Sequence, residues 1–298
     1  MEKTRENSMN EQLSDTSRHQ QVSWILLLGL LFLRIPLIAI LKYFRVELDW
    51  IDAIVRIGTY SLTVFMIWWE IDHLAEFHID TFVIMIVILF GPIQTLIWSY
   101  WKLTRLLVFP NIPSLIIWLI SIVFAFALWR DRSRVPQLKP ASLKWFFIGT
   151  LVGLVASSVL SFPFSFQILS EQVSYGGSVK AVLVDILADI PLDFVNQIGY
   201  AAVIEEPLFR GFLWGHLKKL DWHEKWIWLF QAGLFTLGHF YYINTDPILF
   251  WMIIPVNALV FGWLAWRSRT LASSMAAHGI INSTGYSFAY LVALFRLG

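Results

Sequence analysis

Two adjacent glutamates, a proline and an arginine interrupt an apolar run in the stretch EEPLFR. Glu206 and Arg210 are four residues apart, so in a helix they share one face and are expected to form an ion pair. Glu205 then lies at a different angle around the helix, free to face a cavity. Because Pro207 has no N–H to donate to the preceding turn, we also expect a kink at this point.

Two histidines later in the chain have polar or aromatic neighbours at the same spacing. Phe235 precedes His239 by four residues in FTLGH, and His278 precedes Asn282 by four residues in HGIIN. Side chains so spaced lie on one helix face. The second pair would therefore present an imidazole and an amide side by side as hydrogen-bond donors.

These polar residues are embedded in a strongly apolar chain. Of its 298 residues, 57% are hydrophobic and only 14% are charged, and the mean hydropathy is +0.64. A helix needs about 20 apolar residues to cross a bilayer core, and several runs approach that length. No ten-residue alternation suggests a barrel. The predicted fold is all-α, a polytopic membrane helix bundle with about eight or nine transmembrane helices.

The apolar segments predict where the helices lie. They cover residues 23–43, 51–69, 82–98, 114–129, 143–160, 192–217, 226–241, 250–266 and 271–295. We divide the chain into three parts: a polar, mobile N-terminal tail at 1–22, N-terminal transmembrane helices at 23–160, and a C-terminal unit at 190–295 that carries the polar motifs.

The composition also excludes several classes of partner and chemistry. A net charge of +1 without a clustered basic surface argues against nucleic acid as a partner. The absence of cysteine excludes disulfides, thiolate nucleophiles and cysteine-ligated zinc. The first 22 residues lack the basic start and short apolar core of a cleaved signal peptide.

Basic residues in the short loops predict the orientation of the helices. The loops around residues 130–144, 218–225 and 267–269 are basic and are predicted to be cytoplasmic, whereas the loop at 244–247 falls on the opposite side. The first half fits less well, because the acidic loop at 70–80 would lie inside, with Lys102 and Arg105 outside. We therefore consider a re-entrant or miscounted segment among the N-terminal helices.

Three ionisable side chains are predicted to meet near the middle of the membrane. At 1.5 Å of rise per residue, Glu205, His239 and His278 lie roughly 18, 21 and 12 Å from the predicted cytoplasmic ends of their helices. Ionisable groups at such depth are costly in hydrocarbon and usually face a bundle interior or a water-filled cavity. The predicted meeting of these three groups at one depth is therefore our hypothesis for a functional site.

The chemistry that suits this set is hydrolysis of a peptide bond. Glu205 could act as a general base on a water that His239 orients. His278 and Asn282 could donate hydrogen bonds to the oxyanion that forms when this water attacks a carbonyl. The sequence contains no HExxH motif, no GxSxG motif and no plausible Ser/Lys dyad, so other common protease chemistries find no support.

The three motifs together resemble those of the CAAX-protease and bacteriocin-processing intramembrane proteases, the CPBP or Abi family. The family motifs EExxxR, FxxxH and HxxxN match Glu205–Arg210, Phe235–His239 and His278–Asn282 in the expected order. The resemblance covers roughly residues 191–290. The helices before this region carry no recognisable family motif.

The resemblance implies an intramembrane endopeptidase whose site lies within the bilayer and opens toward the cytoplasmic face. It implies that Glu205 and His239 activate the water and that His278 and Asn282 stabilise the oxyanion. Supporting roles are implied for three further residues of the motifs: Glu206, Arg210 and Phe235.

The resemblance favours a glutamate-dependent mechanism without a directly bound metal. One glutamate and two histidines, namely Glu205, His239 and His278, would also make a three-ligand zinc site with an open position for water. A zinc metalloprotease is therefore the runner-up mechanism, and zinc is the cofactor that it would require.

Structural roles are the alternative for each polar residue taken alone. The Glu206 and Arg210 pair suits helix packing, and either histidine could bond a facing helix. Five further polar residues are expected to snorkel or to make interhelical contacts rather than to do chemistry: Arg34, Arg56, Asn196, Gln197 and Asn257.

Two other function classes stay open at this point. A catalytically silent membrane scaffold or bacteriocin self-immunity protein could keep the same pocket without cutting a peptide, and a transporter would also use midplane carboxylates, although no repeated halves are visible. For the enzyme, the expected partners are the lipid bilayer and a substrate that is a peptide or a membrane-associated protein, with or without a lipid. A bacterial plasma membrane is the expected location.

Overall fold

A computed structural model describes residues 18–44, 49–101, 112–162 and 189–297, and all regular structure within these ranges is helical. The nine helices of the described residues are α1 Arg18–Tyr43, α2 Asp49–Trp69, α3 Thr81–Trp101, α4 Ile112–Arg130, α5 Pro140–Leu160, α6 189–219, α7 Glu224–Leu237, α8 Leu249–Ser268 and α9 Leu271–Leu297. Each predicted apolar segment coincides with one of them, so the all-α fold is confirmed.

Several of these helices are suited to cross a membrane by length and composition. Four of them are long and apolar enough, namely α1, α4, α5 and α8, and shorter apolar helices occupy Ala53–Trp69 and Thr81–Ile97. This apolar character supports a membrane protein. The predicted total of eight or nine crossings stays a prediction.

Helix α1 is described from Arg18 onward, so its first residues lie inside the stretch that the sequence assigns to the tail. The imidazole of His19 stacks on Trp69 with ring centroids 5.0 Å apart, and its Nε2 lies 3.4 Å from Glu70. The hydroxyl of Ser23 also donates to the Glu70 carboxylate. These contacts with the end of α2 extend the helix beyond its apolar segment.

The acidic loop at 70–80 packs beside the basic loops, at what we call the basic end of the bundle. Asp72 pairs with Arg134 at 2.5 Å and Glu76 with Lys219 at 2.9 Å. The hydrogen bond from Arg134 lowers the pKa of Asp72. Because these pairs place an acidic loop among basic ones, the helices of the N-terminal half alternate in direction. No re-entrant segment is needed in the described residues, while Lys102 and Arg105 lie outside them.

Asp80 ties three helices together at the basic end. Its Oδ1 accepts hydrogen bonds from the backbone N–H groups of Phe82 and Val83 and so caps α3. Its Oδ2 accepts from the hydroxyls of Ser142 on α5, at 2.5 Å, and Thr270 before α9, at 2.8 Å. This buried carboxylate therefore fixes the starting points of α3, α5 and α9 relative to one another.

Glycines on α5 let it pack tightly on α9. A Cβ at Gly149 would lie 2.0 Å from the carbonyl oxygen of Ser273, and a Cβ at Gly153 would lie 2.3 Å from a methyl carbon of Ile280. Helices in membranes approach closely where such small residues recur at four-residue spacing. The contact sets the depth and rotation of α9, which carries His278.

Candidate active site

Helix α6 changes its hydrogen-bonding pattern on both sides of the two glutamates. The α-helical turn Val203–Glu206 lies between two π-helical stretches, Ile198–Ala202 and Pro207–Leu213. Pro207, which cannot donate a backbone hydrogen bond, begins the second stretch. The distortion expected at Pro207 is therefore present as a widened helix, a feature that often occurs at functional sites.

Glu206 and Arg210 form the ion pair that their spacing predicts. Arg210 Nη1 lies 3.3 Å from Glu206 Oε1, and both side chains are fully buried. Arg210 Nη2 donates to the carbonyl oxygen of Ala258 at 3.1 Å, and the guanidinium lies 4.4 Å from the ring centroid of Phe235. The pair thus joins α6, α7 and α8 in the interior of the bundle.

His278 contacts both glutamates. Its Nδ1 is 2.8 Å from Glu206 Oε1, a hydrogen bond in which the ring nitrogen donates to the carboxylate. Its Nε2 is 3.6 Å from Glu205 Oε2. The ring also stacks on Phe261 with centroids 4.8 Å apart. Glu206 and Phe261 therefore orient the imidazole so that Nε2 points toward Glu205.

Glu205 has a cationic partner on α1. A guanidinium nitrogen of Arg34 forms an ion pair with Glu205 Oε1. Arg34 lies in a π-helical stretch of α1, Leu33–Leu37, which contains Pro36. The other carboxylate oxygen, Oε2, accepts no hydrogen bond from the described residues and is the one that faces His278.

His239 lies just beyond the C-terminus of α7, held by its neighbour in the motif. Its Nδ1 is 2.8 Å from the carbonyl oxygen of Phe235, and the two rings are 4.7 Å apart. Since a carbonyl oxygen only accepts, Nδ1 carries the proton in this contact. The lone pair of a neutral His239 is consequently on Nε2.

Asn282 bonds a residue of α6 rather than its helical neighbour His278. Its Nδ2 donates to Gln197 Oε1 at 3.4 Å, and Gln197 Nε2 in turn donates to Asp193 Oδ1 at 3.2 Å. Asn196 donates to the same Asp193 oxygen at 3.3 Å. Gln197 is therefore an interhelical contact, as expected from the sequence.

One cavity of about 810 Å³ unites most of the motif residues. Its lining includes five of them, Glu205, Phe235, His239, His278 and Asn282, and four of the polar residues expected to be structural, Arg34, Arg56, Gln197 and Asn257. Glu206 and Arg210 do not line the cavity and lie behind it. The five lining residues could therefore contact a substrate, whereas Glu206 and Arg210 hold lining residues in position from behind.

The described residues do not offer a ready metal site. No group of three or more His, Asp or Glu side chains among them is placed to hold one metal ion. Glu205, the acidic member of the zinc set that the sequence suggests, has its Oε1 engaged by Arg34. We therefore derive no step through a metal.

Arg34 was expected from the sequence to snorkel or to contact a neighbouring helix, but in the structure it is part of the site. The signal was present, because Arg34 is a charge deep within a long apolar helix, far from either end. The depth comparison used for Glu205 and the two histidines, applied to α1, would have placed Arg34 near their level. Its partner could not be read from spacing, since the two residues are on helices distant in sequence.

One region of the chain matches a known protein family. Residues 188–284 match the family described as type II CAAX prenyl endopeptidase Rce1-like. No curated protein and no solved structure matches the chain significantly. The match confirms the family resemblance seen in the motifs, and with the apolar helices it indicates a membrane protein related to intramembrane endopeptidases.

Proposed function

We propose that the chain, through its Rce1-like domain, is an intramembrane endopeptidase that cleaves a peptide or membrane-associated protein by a glutamate-activated water. One observation carries the proposal: Glu205 of α6, His239 at the end of α7, and His278 and Asn282 of α9 line a single cavity inside an apolar bundle. Carboxylate, imidazole and amide groups that converge in a cavity are the components of general base catalysis with oxyanion stabilisation.

Glu205 is the general base in this proposal. Its Oε2 takes a proton from a water molecule as the water oxygen attacks the carbonyl carbon of the peptide bond. His239 Nε2 accepts a second hydrogen bond from the same water and orients it. Arg34 holds Oε1, which leaves Oε2 as the oxygen that acts.

The oxyanion that forms at the former carbonyl oxygen accepts hydrogen bonds from Asn282 Nδ2 and from Nε2 of His278 in its imidazolium form. Glu206 accepts from His278 Nδ1 and thereby sets the direction of the ring. The proton held by Glu205 then passes to the leaving amine nitrogen as the carbon–nitrogen bond breaks. The products are a carboxylic acid and an amine, and Glu205 returns to its carboxylate form.

The ion pair between Arg34 and Glu205 favours a second candidate function, that of a catalytically silent membrane scaffold or self-immunity protein. Glu205 is only 1% exposed, so a water that reaches Oε2 requires a shift of the neighbouring side chains. In a silent protein this shift does not occur, and the cavity holds a peptide without cutting it. Cleavage by the purified protein separates the two candidates.

The test compares wild type, Glu205→Gln and a control in detergent micelles, with a set of quenched fluorogenic peptides, some farnesylated at a C-terminal cysteine. Loss of a general base lowers the rate by about 10²–10⁴-fold. Glu76→Gln is the matched control, because Glu76 is an exposed carboxylate at the basic end. Cleavage that Glu205→Gln leaves unchanged would overturn the enzyme proposal. Metal analysis of the same samples, with a chelator arm, measures any contribution of zinc.

A further inference from the structure

We infer that the cavity is entered from the side of the membrane opposite the basic loops, so that the substrate segment is extracytoplasmic. The part of this inference that concerns a substrate rests on the proposed function. The direction from which the cavity is entered rests on geometry alone. It differs from the expectation drawn from the family resemblance, which opens the site toward the cytoplasm.

The lining residues run in one direction along every helix that contributes a series of them. On α1 they proceed from Arg34 to Lys42, toward the helix end that is remote from the basic end. On α9 they proceed from His278 to Gly285, again away from the basic end. The same direction holds for the other helices that contribute several lining residues: Thr59 to Ala53, Ser157 to Ser161, Glu205 to Gln197 and Phe261 to Leu249.

The basic end beneath the site is closed by packed side chains. Phe77 of the acidic loop is fully buried and lies 5.3 Å, ring to ring, from Phe212 on α6. Phe209, Trp214 and Met275 are also buried to within 1% of their surface. This core separates the two glutamates from the basic loops. In the described residues, therefore, the glutamates form the floor of a cavity that extends away from the basic end.

Basic loops mark the cytoplasmic side of membrane proteins. The basic end carries Arg130, Arg132, Arg134, Lys139, Lys218, Lys219 and Arg269, on helix ends or in the loops that join them. The cavity then extends into the outer half of the bilayer. A cytosolic protein tail does not reach this position, whereas an exported peptide or the outer juxtamembrane segment of a membrane protein does.

The charge of the lining indicates which segments suit the cavity. Its acidic and basic lining residues are three cations and one carboxylate, namely Arg34, Lys42, Arg56 and Glu205. Lys42 lies over the ring of Tyr241 at 5.4 Å, near the outer part of the cavity. A cavity with an excess of one charge raises the local concentration of the opposite charge. We therefore expect segments with acidic residues or a free carboxylate to be preferred.

The chain contains no cysteine, so single cysteines can report which side reaches the cavity. Ile38→Cys and Lys42→Cys place a thiol in the lining, Ser133→Cys places one in a basic loop, and Val155→Cys places one on an outward surface of α5 that is 66% exposed. A membrane-impermeant maleimide is applied to sealed right-side-out and inverted vesicles. Two lining positions keep the test decisive if one variant does not fold.

We expect both lining thiols to react roughly tenfold or more faster in right-side-out than in inverted vesicles, since maleimide needs an aqueous thiolate. Ser133→Cys should show the reverse, and Val155→Cys should be slow in both because its thiol faces lipid. Faster reaction of the lining thiols in inverted vesicles would overturn the inference. So would reaction as slow as that of Val155→Cys in both orientations.

The same proteins separate this inference from the proposed function. If wild type cleaves no peptide but the lining thiols react from outside, the protease proposal fails and the outward cavity stands. If wild type cleaves, modification of Ile38→Cys with a polyethylene glycol maleimide from outside should abolish cleavage, while modified Ser133→Cys keeps it. Cleavage that survives the modification of Ile38→Cys would refute this route for the substrate.

Discussion

Replacing Glu206 with glutamine tests whether the buried pair of Glu206 and Arg210 behind the cavity has a structural role. Glu206 and Arg210 are both fully buried, and their charges face each other at 3.3 Å. The substitution leaves the guanidinium without its counter-charge, and breaking a buried pair in this way costs about 3–5 kcal/mol. Arg210 keeps its hydrogen bond to Ala258 and its contact with Phe235. We therefore expect the lower part of that range, about 3 kcal/mol of unfolding free energy.

A double variant supplies the sharper comparison. Glu206→Leu with Arg210→Met removes both charges, and apolar replacement of a buried ion pair is often neutral or stabilising. His278 then loses the acceptor of its Nδ1–H, and an unsatisfied buried donor costs about 1–3 kcal/mol. The double variant should accordingly be more stable than Glu206→Gln alone, although it carries two substitutions.

Unfolding by sodium dodecyl sulfate in mixed micelles, followed by the fluorescence of the 16 tryptophans, measures these differences. Glu76→Gln serves as the control, because Glu76 is 48% exposed and its pair with Lys219 is a surface contact worth less than about 1 kcal/mol. The reasoning is refuted if Glu206→Gln costs no more than this control, or if the double variant is less stable than the single one.

Three further predictions concern α1, α5 and the basic end. Arg34→Gln should lower kcat by roughly tenfold or more with little change in KM, since a misaligned general base slows the chemical step; a rise in kcat would show instead that Arg34 restrains the site. Gly153→Leu should lower both thermal stability and cleavage because its side chain forces α5 from α9, whereas Gly233→Ala, with open space around it, should be tolerated in the same two assays. The hydrogen bond from Arg269 lowers the pKa of Glu224 to about 2. The stabilisation that the Glu224 carboxylate gives is therefore present above its unfolded pKa of about 4.5 and is lost as the pH falls toward 2. Glu224→Gln should make the unfolding free energy depend less on pH in that window, by a small amount because the group is near the surface.

Local spacing predicted those parts of the site that are held within one helix. The four-residue separation of Glu206 and Arg210 gave their ion pair, because helix geometry alone brings such residues together. The position of Pro207 predicted the helix distortion, because a proline cannot donate its backbone hydrogen bond to the preceding turn. The predicted helices also match, since each depends on an apolar run that must satisfy its backbone hydrogen bonds internally.

Contacts between distant helices could not be read from spacing. The side of the acidic loop was ambiguous because charge counting treats each loop alone, whereas Asp72 and Glu76 are neutralised by Arg134 and Lys219 from other loops. Asn282 lines the same cavity as His278, but its hydrogen bond to Gln197 on α6 was not predictable from their four-residue spacing. In each case the deciding contact joins residues far apart in sequence, and a periodic pattern contains no information about that pairing.

The site depends on helices outside the region that matches the family. Residues 188–284 supply Glu205, His239, His278 and Asn282, but the cation beside Glu205 comes from α1 and the glycines that seat α9 come from α5. Without α1, a buried carboxylate would lose its counter-charge, and without α5, the helix that carries two of these residues would lose its closest packing partner. Burial of Glu205 in an apolar bundle is tolerable only because Arg34 and His278 lie beside it. The unit that positions the candidate active site is therefore the bundle that includes α1 and α5, and a fragment limited to the family region is not expected to hold these side chains in place.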